Sequence, residues 1–307
     1  MRAYGFVRPG GPENEAFLDV PEPCPRPGEL LVSVRAAGVN PGDRRMREGF
    51  YGVPAGVLGR EVAGTVVGLG PGTDGFALGE EVFGGCPGML GGWAERALVT
   101  AGFAARRPPS VRAEDAAVLP VAAGTAHDGL ACLDLGPGAT LLVNGAGGGV
   151  GLPLVQLARA QGLRVIGTAS PGKHDILRRF GAVPVAYGDG VTERLRAAAP
   201  QGIDAIFDLV GGAALRAVAS LLPDRSALIS VGGDKRLALE LGGRPLARNR
   251  SGTVLGKLVQ AVASGALDPC VTDVRPFEDA ASALAAASGG HSTGKVVLTF
   301  EAQRRGC

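Results

Sequence analysis

Apolar and polar residues alternate in short stretches over the first 120 residues, which is the pattern of half-buried β-strands. Glycine and proline separate these stretches, as they do at the turns between short strands. The pattern predicts strands over residues 29–37, 61–69, 80–83 and 93–99. Short strands at this spacing are typical of a small barrel or sandwich.

The pattern changes near residue 120, where short apolar runs alternate with segments of helical periodicity. Strands are predicted over residues 140–143, 163–168, 183–186, 203–209, 226–231 and 237–241. Helices are predicted between the earlier strands, over residues 150–161, 173–180, 192–199 and 213–222. This alternation implies right-handed crossovers and a doubly wound parallel sheet of six strands.

The last part of the chain departs from that alternation. It predicts an amphipathic helix over residues 252–264, an alanine-rich helix over 279–287 and a closing strand over 295–300. The predicted fold class is therefore α/β, with a nucleotide-binding domain (residues 121–244) inserted into a β-rich domain built from residues 1–120 and 245–307.

Composition and charge exclude several classes of protein. Glycine is abundant (51 of 307 residues) but has no period of three, and 46% hydrophobic residues with a mean hydropathy of +0.20 argue against disorder. The net charge of +2 gives no general attraction to nucleic acid or to an anionic membrane. The charge-free run 135–158 contains two prolines and seven glycines, so it is not predicted to span a membrane.

The five cysteines are far apart, odd in number and without a CxxC pair. Neither a disulfide framework nor a structural zinc lobe is expected from them. The first nine residues also lack the apolar core of a signal peptide. A soluble, cytoplasmic protein is therefore expected.

A glycine-rich loop joins the strand predicted at 140–143 to the helix that follows it. Glycines at such a junction let the backbone turn sharply and approach a pyrophosphate, and the helix N-terminus then favours the phosphate charge. An ordinary flexible loop is the alternative, but its glycines would carry a needless entropic cost. The predicted dinucleotide-binding residues of this loop are Gly145, Gly147, Gly148, Gly149, Val150 and Gly151.

The residues after the second strand of this domain indicate which dinucleotide binds. An acidic residue about 20 positions after the glycine loop usually binds the ribose 2′-hydroxyl of NAD. Here that region holds Ser170 and Lys173, and the first carboxylate is Asp175. Ser170 and Lys173 can donate to a 2′-phosphate, so the sequence predicts NADPH as the cofactor. The alternative is that Lys173 is a solvated residue at the start of a helix.

Six short segments together resemble one known family from end to end. They are GVNPGD (38–43), GREVAG (59–64), LPVAAGTA (119–126), NGAGGGVG (144–151), DLVGG (208–212) and GKVV (294–297). With them the chain resembles the zinc-independent, quinone oxidoreductase-like branch of the medium-chain dehydrogenase/reductases. The resemblance implies a GroES-like β-rich catalytic domain, a Rossmann domain that binds NADPH, and an active site in the cleft between them.

The resemblance also bears on metal binding. Zinc alcohol dehydrogenases of this superfamily hold their catalytic metal with two cysteines and a histidine, and the matching positions here are Asn40, Arg60 and Val121. None of the three side chains is a zinc ligand of that kind. The three histidines of the chain, His127, His174 and His291, offer little else, so no metal site is expected.

By the same resemblance, two residues of the first domain are candidates for catalysis. Asn40 is expected to face the nicotinamide, the alternative being that its side chain caps the turn at 40–43. Tyr51 is expected to line the cleft and to donate a hydrogen bond or a proton to the developing enolate, the alternative being a tyrosine used in packing. Asp43 and Glu61 are interpreted as structural.

The remaining candidates belong to the cofactor site by resemblance. Thr125 is expected at the nicotinamide end, with an N-cap as the alternative, and Tyr187 near the 2′-phosphate. Val210 and Gly211 form a turn whose glycine lets the backbone approach the ribose. His127 is interpreted as a hydrogen-bonded helix residue rather than a proton shuttle. The arginine-rich segment 244–250 is interpreted as a solvated loop, the alternative being a site for an acidic ligand.

These features predict an NADPH-dependent oxidoreductase that transfers hydride to a quinone or another conjugated carbonyl without zinc. An enoyl-thioester reductase of the fatty-acid or polyketide type and a non-catalytic NADPH-binding sensor are the alternatives. The expected partner is a small-molecule substrate, with no nucleic acid or membrane. A homodimer formed through the strand predicted at 237–241 is a further hypothesis.

Overall fold

The chain forms two units, one from Met1–Gly124 with Arg250–Cys307 and one from Thr125–Asn249. The computed structural model describes residues 1–232, 235–290 and 292–301, with Lys235 described by its backbone alone. His291, considered above as a metal ligand, and the fifth cysteine, Cys307, lie outside the described residues.

The strands in chain order are β1 (Arg2–Phe6), β2 (Glu15–Asp19), β3 (Glu29–Val39), β4 (Gly56–Val57), β5 (Glu61–Leu69), β6 (Glu81–Gly85), β7 (Arg96–Thr100), β8 (Ala104–Arg106), β9 (Thr140–Asn144), β10 (Arg164–Ala169), β11 (Val183–Ala186), β12 (Ala205–Asp208), β13 (Leu228–Ser230), β14 (Arg244–Pro245), β15 (Val271–Pro276) and β16 (Lys295–Thr299). The α-helices are α1 (Pro41–Arg47), α2 (Ala113–Ala117), α3 (Gly124–Leu133), α4 (Gly151–Ala160), α5 (His174–Arg179), α6 (Val191–Ala198), α7 (Gly212–Ala219), α8 (Lys235–Glu240), α9 (Gly252–Ala263) and α10 (Ala280–Ser288).

The first unit is built on a sheet whose strand order is β15-β16-β3-β5-β6-β8, with β7 paired to β3. The predicted strand at 61–69 forms over the same residues, and the one predicted at 29–37 continues to Val39. Trp93 is fully buried in the core of this unit, and its indole N–H donates to the carbonyl oxygen of Gly38 at 3.2 Å. The hairpin of β1 and β2, the helix α1 and the strand β15 have no counterpart in the sequence predictions.

The second unit contains the predicted doubly wound sheet. Its order is β11-β10-β9-β12-β13-β14, and every pairing in it is parallel. The strand order reverses direction at β9, so β9 and its neighbours form the switch point at which such sheets bind ligands. The α/β fold class and the Rossmann-type sheet are confirmed.

The sixth strand was predicted in the wrong place. Residues 237–241 lie in and just after helix α8, and the strand that pairs with β13 is Arg244–Pro245. Leu237 and Leu241 are one helical turn apart and both pack on the core of this unit, and Gly242 ends the helix with φ of +83°. The hypothesis of a dimer formed through a strand at 237–241 therefore has no strand to rest on.

One helical stretch, Ala113–Leu133, is long and apolar enough by composition to cross a membrane, with a mean hydropathy of 1.3. However, 78% of its most apolar window is buried inside the protein, as in the core helix of a globular fold. A π-helical segment, Leu119–Ala123, interrupts this stretch between α2 and α3.

Candidate functional site

The glycine-rich loop lies at the carboxyl end of β9, the central strand of the second unit's sheet. The strand ends at Asn144 and helix α4 begins at Gly151. Gly145 has φ of +89°, a conformation that favours glycine, and its N–H donates to Thr168 Oγ1 at 2.9 Å. A Cβ at Gly151 would lie 2.4 Å from the carbonyl oxygen of Ala146, so only glycine permits this close approach of helix to loop.

Lys173 lies across this loop. A Cβ placed on Gly147 would come within 2.6 Å of Lys173 Cδ, so the aliphatic stem of the lysine packs against the Cα of Gly147. Burial lowers the pKa of the Lys173 ammonium. The structure thus brings Lys173 together with the predicted phosphate loop. The alternative of a merely solvated lysine does not account for this contact.

Ser170 and Tyr187 follow two neighbouring strands at the same edge of the sheet. Ala169 at the end of β10 pairs with Ala186 at the end of β11, and each candidate is the next residue along the chain. Ser170 is half-buried and Tyr187 is exposed. Because both strands are parallel, the two residues leave the sheet on the same side, as the predicted 2′-phosphate site requires.

A buried carboxylate that the sequence analysis did not single out connects the glycine loop to the turn at Val210–Gly211. Asp208 accepts hydrogen bonds from Asn144 Nδ2 at 2.7 Å, Ser230 Oγ at 2.6 Å and the N–H of Gly211 at 3.0 Å. Asn144 Oδ1 in turn accepts from the Thr168 hydroxyl at 2.7 Å, and that hydroxyl oxygen accepts from Gly145. The available signal was a carboxylate at the last position of a strand, directly before a glycine turn.

Thr125 lies near the start of α3, directly after the π-helical segment. The chain before it is already helical, so the N-cap alternative is wrong. Its hydroxyl oxygen accepts a hydrogen bond from Arg248 Nη1 at 2.5 Å, and Arg248 Nε pairs with the buried carboxylate of Asp128 at 2.7 Å. His127 Nδ1 lies 3.4 Å from Asp128 Oδ1, consistent with a hydrogen-bonded helix residue.

Most of the arginine-rich segment 244–250 is exposed, as the interpretation of a solvated loop requires, but two of its arginines are bound to the protein. Arg248 is tied to α3 as described above, and Arg244 donates to the carbonyl oxygen of Cys132 at the other end of that helix. Hydrogen bonds to carbonyl and carboxylate oxygens thus hold Arg244 and Arg248 against α3.

In the first unit, Asn40 directly precedes helix α1. Its backbone N–H donates to Asp43 Oδ2 at 2.8 Å, which ties the first turn of the helix to the residue before it. The carboxamide side chain of Asn40 contacts two charged groups, since Nδ2 donates to Glu61 Oε1 at 2.9 Å and Oδ1 accepts from Lys295 Nζ at 2.6 Å. Asn40, Glu61 and Lys295 are all buried.

Tyr51 lies beside a second ion pair of the same unit. The guanidinium of Arg60 stacks over the Tyr51 ring with 5.0 Å from its carbon to the ring centroid, and Arg60 Nε lies 3.3 Å from Asp43 Oδ1. Asp43 is fully buried, and burial raises the pKa of its carboxyl to about 6 although Arg60 opposes the rise. Tyr51 itself is 39% exposed, so its ring remains accessible to a ligand although Arg60 stacks on it.

The three residues at the positions compared with zinc ligands make contacts with other protein groups. Asn40 binds the Lys295 ammonium, Arg60 pairs with Asp43, and the backbone N–H of Val121 donates to Glu61 Oε2 at 2.7 Å. Within the part of the chain that the structure describes, no group of three histidine, cysteine, aspartate or glutamate side chains is placed to hold a metal ion.

Two family models match the chain. The alcohol dehydrogenase GroES-like domain matches residues 26–109, and the zinc-binding dehydrogenase model matches residues 180–298.

Among curated proteins, a segment of erythronolide synthase from Saccharopolyspora erythraea is 34% identical over 93% of this chain, but the matched part is only 8% of that synthase. The 2-methylene-furan-3-one reductase of Solanum lycopersicum is 30% identical over 97% of this chain and 79% of its own length.

Solved structures show the same similarity over both units. A quinone oxidoreductase from Coxiella burnetii superimposes with a TM-score of 0.89 at 26% identity, covering 98% of this chain and 99% of its own. A mycobacterial protein complexed with NADPH gives a TM-score of 0.84 at 29% identity, covering 97% and 99%.

Proposed function

Because the chain belongs to the quinone oxidoreductase-like branch of the medium-chain dehydrogenase/reductase superfamily, we propose that it is an NADPH-dependent, zinc-independent reductase of conjugated carbonyl compounds. Its substrates are a quinone or an enone, and it acts in the cytoplasm. The observation that carries the proposal is the set of contacts at Asn40, Arg60 and Val121, where hydrogen bonds and ion pairs occupy the positions compared with metal ligands.

The second unit fits NADPH. A Cβ at Gly148 would meet only Gly145 O, at 3.7 Å, so bare backbone faces open space in front of helix α4. Gly147 and Gly148 would receive the pyrophosphate, Ser170, Lys173 and Tyr187 the 2′-phosphate, and Val210 and Gly211 the ribose. The mycobacterial structural relative complexed with NADPH supports the same choice of cofactor.

Bound NADPH supplies a hydride, and conjugation in the acceptor delocalises the resulting negative charge onto oxygen. The chain then has to orient the acceptor, exclude water and place donors near that oxygen. Tyr51 is the proposed donor to the oxygen, with its ring held by Arg60. Asn40 is proposed to contact the reacting groups through its carboxamide. An uncharged acceptor activated by conjugation has less need of a Lewis acid than an alcohol does.

A second candidate is an enoyl-thioester reductase. The 34% identity to a segment of a polyketide synthase favours it, since a thioester-linked acceptor presents the same conjugated carbonyl. The chain spans a small part of that synthase, so the substrate of the whole assembly is not transferred to it.

A panel of NADPH oxidation assays with a quinone, a simple enone and an enoyl thioester tests these candidates. Turnover of the quinone or enone, retained after dialysis against a chelator, is the expected result, and Tyr51→Phe should lower turnover without weakening NADPH binding. Turnover of the thioester alone would favour the second candidate. NADPH binding without turnover of any acceptor would indicate a sensor, and activity restored only by added Zn²⁺ would overturn zinc independence.

A further inference from the structure

A buried lysine at the start of the last strand carries the next inference. Lys295 is the first residue of β16, Glu61 is the first residue of β5, and both strands flank the end of β3, after which Asn40 follows. The three side chains therefore meet although up to 255 positions separate them in the sequence.

The hydrogen bonds of Lys295 use its whole capacity as a donor. An ammonium has three N–H groups, and Nζ is within hydrogen-bond distance of Val39 O at 3.1 Å, Asn40 Oδ1 at 2.6 Å and Glu61 Oε1 at 3.2 Å. Lys295 is 4% exposed and has no further N–H to offer a ligand. It is accordingly placed to act on Asn40 rather than on a substrate.

The charges of Lys295 and Glu61 determine which way the Asn40 carboxamide faces. An ammonium only donates, so it selects the oxygen of the amide, and an ionised carboxylate only accepts, so it selects the nitrogen. A carboxamide rotated by half a turn would place NH₂ against the ammonium and oxygen against the carboxylate, losing both bonds. The second oxygen of Glu61 is fixed as well, because Oε2 accepts from the N–H of Val121 at 2.7 Å.

One N–H of the carboxamide is left over in this arrangement. Among the described residues, Asn40 Nδ2 donates only to Glu61, although an amide nitrogen carries two hydrogens. The ammonium on the oxygen of the same amide polarises the group and makes this second N–H a better donor. Its natural acceptor is a carbonyl oxygen of the bound cofactor or substrate.

We propose that Lys295 and Glu61 are positioning residues that lock the Asn40 carboxamide in one orientation, so that its remaining N–H is presented to a carbonyl oxygen of the ligand. This rests on the proposed function, in which Asn40 contacts the reacting groups. Lys295 and Glu61 act through Asn40 and take no part in proton transfer.

A double-mutant cycle on kcat tests the proposal. Lys295→Met should lower kcat by about 10²-fold in the wild-type background, as expected for a misplaced catalytic contact, and should cause little further loss when Asn40 is already alanine. Lys257→Met, the same substitution at an exposed lysine on α9 of the same unit, is the matched control and should leave kcat unchanged. Equal losses in both backgrounds would show that Lys295 acts independently of Asn40 and would overturn the proposal.

Two further measurements separate orientation from folding and from the proposed function. Because Lys295→Met leaves the Glu61 carboxylate buried without its cation, Lys295→Met/Glu61→Gln is tested beside it, with the same lack of additivity expected. The side-chain amide of Asn40 is followed by NMR in the folded variants, where loss of its two distinct slowly exchanging N–H signals is expected. Unchanged signals would overturn the positioning role, whether or not the wild type reduces any of the acceptors. A wild type that reduces none of them would count separately against the proposed function.

Discussion

Asp208 accepts a hydrogen bond of 2.7 Å from the side-chain amide of Asn144, and the two residues are the last of the adjacent parallel strands β12 and β9. The same carboxylate also receives the N–H of Gly211 at 3.0 Å. The buried carboxylate of Asp208 thus fixes the turn at Val210–Gly211, which is proposed to approach the ribose, relative to the strand that leads to the glycine loop.

Replacing this carboxylate should weaken NADPH binding and stability together. Asp208→Ala leaves the buried donors of Asn144 and Gly211 without their acceptor, at a cost of about 1–3 kcal/mol for each donor that finds no water. NADPH titrated by fluorescence and unfolding in urea report the two effects. The control is Asp204→Ala. Asp204 lies just before the first residue of β12, at the end opposite to Asp208, and its carboxylate accepts from the N–H of Thr140. Its loss should reduce stability but leave NADPH affinity unchanged. Equal NADPH affinities of the Asp208 variant and the wild type would contradict the prediction.

Lys173 is expected to determine the preference between NADPH and NADH. Its stem lies on Gly147, and a charge-assisted hydrogen bond to a phosphate contributes about 1.5–3 kcal/mol. Lys173→Met keeps most of the stem and removes the charge, so KM for NADPH should rise at least about tenfold while KM for NADH stays nearly constant. Steady-state kinetics with both cofactors provide the measurement. A parallel rise for both would assign Lys173 to the shape of the loop instead of the 2′-phosphate.

Two glycines of the same loop should separate ligand binding from folding. A Cβ at Gly148 has no close neighbour, so Gly148→Ala should preserve the free energy of unfolding and weaken NADPH binding, because the new methyl group faces the pyrophosphate. Gly151→Ala places its Cβ 2.4 Å from the carbonyl oxygen of Ala146, so it should destabilise the free protein by about 1–3 kcal/mol. Urea unfolding and NADPH titration of both variants distinguish the two effects. Full NADPH affinity in Gly148→Ala would place the pyrophosphate elsewhere.

Asp43 should give stability a component that decreases as pH rises. Burial raises the pKa of its carboxyl from 3.8 to about 6, so the folded protein retains this proton at pH values where the unfolded chain has lost it. The contribution is therefore complete below pH 4, is lost between about pH 4 and 6, and amounts to at most ~3 kcal/mol. Asp43→Asn removes the titration. The unfolding free energy of the wild type minus that of the variant should therefore decrease as pH rises over that interval. Asp19→Asn, at an exposed carboxylate, is the control, and a constant difference for Asp43→Asn would contradict the assignment.

Much of the second unit was predictable because its signals are local. The strand Val183–Ala186 formed at its predicted residues, the strand before the glycine loop is one residue longer than predicted, and the helix after the loop is one residue shorter at each end. The segment 237–241 failed because Leu237, Leu239 and Leu241 satisfy the two-residue period of a strand, while Leu237 and Leu241 alone satisfy the four-residue spacing of a helix. Packing on the core and the glycine at 242 decided for the helix.

The candidate site of the first unit was only partly predictable. Asn40 and Tyr51 came from the resemblance, whereas the pairing of Asn40 with Lys295 depends on strands distant in sequence, which no local period encodes. The one available clue was that Lys295, one of four lysines, opens an apolar strand. A charged residue in such a place is rarely buried without a partner, but the sequence alone did not name that partner.

The strand β14 affects how readily copies of this chain associate through the edge of the sheet at high concentration. It is two residues long, it forms one edge of the six-stranded sheet, and its second residue is Pro245. An edge strand templates the addition of further strands through its free N–H and C=O groups, and proline has no N–H to give. This edge is therefore protected against strand addition, the route by which exposed sheets join into aggregates.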